Sequence, residues 1–80
     1  MKIIVQNFAI LKDYFEDNLE LNLPDTAKAE DAIQQLKSIN PKAAIVLDSC
    51  RVAVDEALVP RQFGITDGTT IFLLPPSSGG

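Results

Sequence analysis

The residues best placed to do chemistry are the last two, Gly79 and Gly80, because the rest of the chain offers so little. Its 80 residues include no histidine and one cysteine, Cys50. Histidine is the commonest general base and the commonest metal ligand near neutral pH. Its absence excludes a zinc site of the usual kind and any Ser-His or Cys-His nucleophilic pair, so no metal is expected. A single cysteine cannot form an internal disulfide. Arg51 is the only basic residue next to Cys50 in the sequence. That is too little to depress a thiol pKa, so Cys50 reads as a passive cysteine rather than a sulfur relay.

The end of the chain runs Pro75-Pro76-Ser77-Ser78-Gly79-Gly80. Two prolines stiffen its base toward a polyproline-like extension. The six residues reach roughly 20 Å when extended, at about 3.3 Å each. Gly79 and Gly80 have no side chains, so they can thread a narrow channel and leave the Gly80 carboxylate open to attack. A carboxylate is a poor electrophile. Joined to AMP as a mixed anhydride it becomes reactive, and a sulfur donor can then displace AMP to leave a thiocarboxylate. The chain has no phosphate-binding loop to perform that activation, so it binds no cofactor itself. A separate enzyme using Mg-ATP is required. A bare Gly-Gly is a weak signal, and an ordinary unstructured end or a cloning remnant is the plain alternative. The elements that would position the tail decide its weight.

Those elements fit one small domain. The chain is 46% hydrophobic and 22% charged, too apolar for disorder and too short for two cores. No apolar run approaches the roughly 20 residues of a membrane helix. Met1-Lys2-Ile3-Ile4-Val5 is too short for a secretory core, so a cytoplasmic location without membrane contact is expected. The net charge of −4 argues against nucleic acid as a partner. A carrier or binding module fits better than a self-sufficient enzyme.

Along the chain, the β-branched run Lys2 to Phe8 predicts a strand, and Ile10 to Asp17 one or two helical turns. Leu19, Leu21 and Leu23 alternate with polar residues as in a half-buried strand. Thr26 is a plausible N-cap for a helix over Ala27 to Ile39, with Ala29, Ala32, Ile33, Leu36 and Ile39 on one face. Asn40-Pro41 ends it. The apolar run Ala43 to Leu47 predicts a strand, Asp48-Ser49 a turn, and Arg51 to Asp55 a further strand. Ala57 to Phe63 reads as irregular around Pro60, and Asp67-Gly68 as a turn. Thr70 to Leu74 is the last strand.

This order predicts an α+β fold of the β-grasp (ubiquitin-like) type: a mixed sheet of about five strands, covered by a helix on one face. Residues 1–74 form the domain and residues 75–80 an extended C-terminal tail. The first and last strands lie side by side at the centre. Their two phases then divide, with Ile3, Val5, Ile71 and Leu73 toward the helix and Ile4, Phe8, Phe72 and Leu74 toward the open face. Clustered apolar residues on an open face mark a partner-binding patch more often than mere packing under loops, and this one lies at the root of the tail.

At this point the chain resembles the MoaD-type sulfur carriers, small subunits of molybdopterin synthase within the MoaD/ThiS ubiquitin-like family. The resemblance spans the whole chain. It is most specific from Ile65 to Gly80, where an Asp67-Gly68 turn, an apolar strand, Pro75-Pro76, two small residues and Gly79-Gly80 follow in order. Phe8-Ala9-Ile10-Leu11-Lys12 is similar to the family's first strand and short helix, where the basic position is usually Arg. Val52 to Val59 is similar to its Ala-Val-Asn segment, with Asp55 replacing the common Asn. The resemblance implies that a ubiquitin-activator-like adenylyltransferase adenylates Gly80 and that a sulfurtransferase supplies sulfur. The tail, Pro75 to Gly79 leading Gly80, then enters the molybdopterin synthase large subunit. There the thiocarboxylate donates sulfur to precursor Z to build the molybdopterin dithiolene, in a heterotetramer whose other catalytic residues belong to the large subunit. It places partner contacts at Phe8, Leu58 and Leu74, to which the open-face reading adds Phe72. Lys12 either meets an acidic partner residue or is simply solvated. The rivals are a carrier for thiamin synthesis or tRNA thiolation, which usually lacks the Pro-Pro, and a non-catalytic ubiquitin-like interaction module with an inert tail.

Overall fold

The computed structural model of the chain describes residues 1–76. Strands β1 (Lys2–Asn7), β2 (Asn18–Asn22), β3 (Arg51–Val54), β4 (Ala57–Val59) and β5 (Thr70–Leu74) form one sheet in the order β2-β1-β5-β3-β4. The first and last strands pair in parallel at the centre, as expected, and the other neighbours are antiparallel. Helices α1 (Ala29–Ile39) and α2 (Ala44–Asp48), with 3-10 turns at Ala9–Asp13 and Pro41–Ala43, complete the fold.

The period of two along the central strands puts Ile3, Val5, Ile71 and Leu73 in the core, each at most 1% exposed. Leu21 and Val52, their neighbours across the sheet, join them, and Leu19 packs against the cluster. From the helical layer come Ala29, Ala32, Ile33 and Leu36 of α1, then Ala43 and Leu47. Asn7 is buried at the end of β1, and its side chain donates to the Glu16 carbonyl at 2.9 Å. This fixes where the chain leaves the sheet.

Four local readings of the sequence are corrected. Residues 43–47 form a helix, not a strand. Asn40 does end α1, but its side-chain oxygen also accepts from the Lys42 N–H, and Pro41 takes the first helical position of the next turn. Ala43 and Leu47 are buried while Ile45 is 83% exposed, a period of four that alternation cannot satisfy. Residues 57–59, expected to be irregular, form the edge strand β4. The chain does turn at Ser49 into β3, but Asp48 ends α2 rather than a strand and the hairpin turn is Asp55-Glu56, so the strand count of five holds with one member exchanged. Thr26 is not the cap of α1. The helix begins at Ala29, the Asp31 carboxylate accepts from the Lys28 N–H at 2.8 Å, and Phe63 and Arg61 carbonyls accept from Ala29 and Glu30 N–H.

The β3–β4 turn is strained. Two residues join the paired Val54 and Ala57, with φ of 51° at Asp55 and 66° at Glu56. Both central positions of such a turn need positive φ, which Asn-Gly satisfies cheaply and a side chain with the bulk of glutamate does not. Asp55→Asn with Glu56→Gly is expected to stabilise the domain by about 1 kcal/mol, raising the thermal midpoint about 5 °C in a denaturation scan.

Glu30 on α1 accepts from Gln34 at 3.0 Å and from Arg61 at 3.1 Å. The Gln34 hydrogen bond, then the Arg61 hydrogen bond and charge, outweigh partial burial and hold the Glu30 carboxyl below its ordinary 4.5. A carboxyl depressed in the folded state stabilises the fold above its unfolded pKa and loses that contribution as pH falls through the folded value. Midpoints measured from pH 7 downward should fall below about pH 4.5, and Glu30→Gln should flatten that acid limb.

Candidate functional site

Register builds a row of side chains across the open face. Gln6 lies opposite Phe72, Phe72 opposite Ala53, and Ala53 opposite Leu58. Leu74 follows two residues along β5. Phe8, just past β1, lays its ring against Phe72 with centroids 6.0 Å apart and planes at 27°. Offset rings at this distance hold one another to about 1 kcal/mol beyond their burial. Phe8, Ala53, Leu58, Phe72 and Leu74 line an apolar groove of about 410 Å³ with the Glu56 carboxylate at its rim. Leu58 stays 56% exposed on the edge strand, where no core holds it.

Four of the expected contact residues, Phe8, Leu58, Phe72 and Leu74, thus meet in one groove. Ile4 shares their face and is half-buried, but does not line it. Lys12 lines neither groove described here. It sits exposed on the first 3-10 turn, 3.9 Å from the Asp17 carboxylate, and an exposed pair of that kind contributes little.

Pro75 and Pro76 leave β5 directly, Pro75 half-buried and Pro76 exposed. They form one wall of a second, mostly apolar groove of about 550 Å³, whose other walls are Ala9, Ile10, Ile45, Val46 and Ser49. Ala9 takes a left-handed φ of 52°, turning the chain so that Phe8 serves the first groove and Ile10 the second. Ser77, Ser78, Gly79 and Gly80, assigned above to the reacting tail, lie outside the described residues.

Cys50 is buried, and its thiol donates to the Val46 carbonyl at 3.3 Å. Burial pushes its pKa up, offset in part by Arg61. The cation that acts on Cys50 is therefore Arg61, eleven residues away, rather than the adjacent Arg51. A thiol held protonated is a poor nucleophile. Among the described residues no cluster of three or more His, Cys, Asp or Glu could hold a metal ion, and no helix is long and apolar enough to cross a membrane.

The sequence-family model described as the ThiS family matches residues 5–80. The chain belongs to the ThiS family. It shares that family's ubiquitin-like sulfur-carrier type and its β-grasp fold, seen in solved structures. SAMP1 from Haloferax volcanii is 20% identical, with all of both chains covered and a TM-score of 0.86. A chain of the complex of subunits 1 and 2 of molybdopterin-converting factor from Helicobacter pylori is 25% identical, with all of both chains covered and a TM-score of 0.70. The ubiquitin of Caldiarchaeum subterraneum is 16% identical over all of this chain and 98% of its own, at 0.69. Among curated protein sequences nothing matches. In this ThiS-family chain, both grooves adjoin the C-terminal end of β5.

Proposed function

We propose that this ThiS-family chain is the small, sulfur-carrying subunit of a molybdopterin synthase, acting in the cytoplasm. An adenylyltransferase docks on the groove of Phe8, Leu58, Phe72 and Leu74 and joins the Gly80 carboxylate to AMP from Mg-ATP, releasing pyrophosphate. The terminal sulfur of a sulfurtransferase persulfide attacks the Gly80 acyl carbon and expels AMP, and a thiol then reduces the resulting acyl disulfide to the thiocarboxylate. The large subunit then replaces the activating enzyme on the same groove, and the thiocarboxylate reaches its pocket along Pro75, Pro76, Ser77, Ser78 and Gly79. There its sulfur bonds to precursor Z, water cleaves the bond to the Gly80 acyl carbon and returns the carboxylate, and two such deliveries complete the dithiolene. The observation that carries this reading is the apolar groove set against the strand that becomes the tail. A partner that covers the groove has the tail entering its own body. The Helicobacter pylori subunit 1–subunit 2 complex supports a large-subunit partner, and Pro75-Pro76 favours this acceptor over those of thiamin synthesis or tRNA thiolation.

The test is stepwise. The chain is incubated with activating enzyme, Mg-ATP and a sulfur donor, and its intact mass is read for exchange of one oxygen by sulfur. The product is then mixed with the large subunit and precursor Z. Formation of the dithiolene supports the proposal. A sulfurated chain that yields none points to another acceptor, and an unchanged mass with an activator proven on its own carrier leaves an interaction module.

A further inference from the structure

The second groove has no role in the docking proposed above, and all of its lining residues but Ser49 are apolar. Ile45 is 83% exposed and Ile10 48% exposed, both on the same groove as the half-buried Val46 and the two prolines. Single exposed isoleucines are ordinary, but apolar residues gathered in one concavity mark a contact. Two features of the backbone build the concavity. The left-handed Ala9 brings Ile10 to it, and helix α2 turns Ile45 outward while Ala43 and Leu47 remain in the core.

The position of the tail says what covers it. Pro75 and Pro76 are part of the groove wall, and only four residues separate Pro76 from the end of Gly80. At about 3.3 Å per residue those four span roughly 13 Å. Any protein that holds the Gly80 carboxyl group in a pocket therefore brings the mouth of that pocket to within roughly that distance of Pro76. The first groove lies on the Phe8 side of this exit and the second on the Ile10 side.

We propose that the second groove is a separate docking surface for the protein that receives the tail, and that this protein seats an aliphatic or aromatic side chain from the lip of its tail channel against Ile10, Ile45 and Pro75. The contact grips the root of the tail from the side the first groove leaves open. It rests on the carrier reading, since it needs a partner that takes up Gly80. It adds a second anchor that neither the family resemblance nor the first groove supplies.

The experiment uses the full chain and the purified large subunit of molybdopterin synthase. Ile45→Asp puts a carboxylate in the groove at an exposed position. Ile39→Asp, on α1 at 53% exposure and outside the groove, makes the same change of net charge as a control. Dissociation constants are measured by calorimetry, with thermal midpoints alongside. Ile45→Asp is expected to weaken binding about tenfold or more, as loss of an isoleucine-sized apolar contact does, with Ile39→Asp and both midpoints near wild type. Equal binding by Ile45→Asp and wild type overturns the second docking surface alone. So does equal weakening by both variants, which would reflect charge rather than the groove. A wild-type chain that neither binds the large subunit nor gains sulfur from the activating enzyme overturns the carrier reading and this inference together.

Discussion

A chain shortened by Gly79 and Gly80 is expected to gain no sulfur from the activating enzyme and to support no dithiolene formation. Its thermal midpoint should remain within about 3 °C of the full chain. The two halves of this result have different causes. In the proposed reaction the reacting group is a carboxyl at the end of a side-chain-free pair, and ending the chain at Ser78 would both shorten the reach by roughly 7 Å and bring side chains into the partner's channel. The loss is therefore a loss of chemistry, expected below the detection limit of intact-mass analysis rather than a partial rate. The stability is expected to persist because the core ends at Leu73 among the described residues, and Ser77 to Gly80 carry no apolar side chain to add to it. A shortened chain that still gains sulfur would place the reacting group elsewhere.

Arg61→Met is expected to be the most damaging substitution outside the apolar core. It should cost about 2–3 kcal/mol and lower the midpoint by about 15 °C. Its Nη2 group faces the carbonyls of Leu47, Asp48 and Cys50 at 3.1, 2.8 and 3.2 Å, and its Nη1 donates to Glu30 at 3.1 Å. One guanidinium thus caps the end of α2, opens β3 and ties both to the first turn of α1. Methionine keeps much of the volume and removes every donor, leaving partly buried carbonyls without partners. Arg61→Lys should recover less than half of the loss, because an ammonium is a compact charge and cannot span a carboxylate and three carbonyls as the planar fork does. Denaturant or thermal unfolding of the three proteins measures this. A midpoint for Arg61→Met within about 4 °C of wild type would show that water replaces the guanidinium at little cost.

Most of the fold was legible because periodicity reports burial. The alternation on β1 and β5 separated core from open face, and Phe8, Phe72 and Leu74 came out on one face before any register was known, although Ile4 of the same phase does not line the groove. What escaped depends on partners distant in sequence. Ala43 to Leu47 is too short for a period of two to be told from a period of four, and the decision lay with Asn40 and Pro41 acting as a start signal as well as a stop. Arg61 lies in a loop around Pro60, and nothing local marks a side chain that reaches 11 to 31 residues back. The second groove was missed for the same reason as α2, since a strand would have turned Ile45 to one sheet face. The turn at Asp55-Glu56 was hidden because neither residue advertises positive φ.

The central place of β5 has a mechanical consequence. A partner that draws the tail inward pulls on Leu74 and so on a strand bonded along both sides, to β1 and to β3. The pull runs along the strand axis, so the ladder hydrogen bonds share the force in shear and must give way together. The same tail attached to the three-residue edge strand β4 would be opposed by one neighbour and would peel from it one bond at a time. With β5 at the centre, the domain can act as a rigid handle. Work done on the tail moves the whole body toward the partner rather than unravelling it.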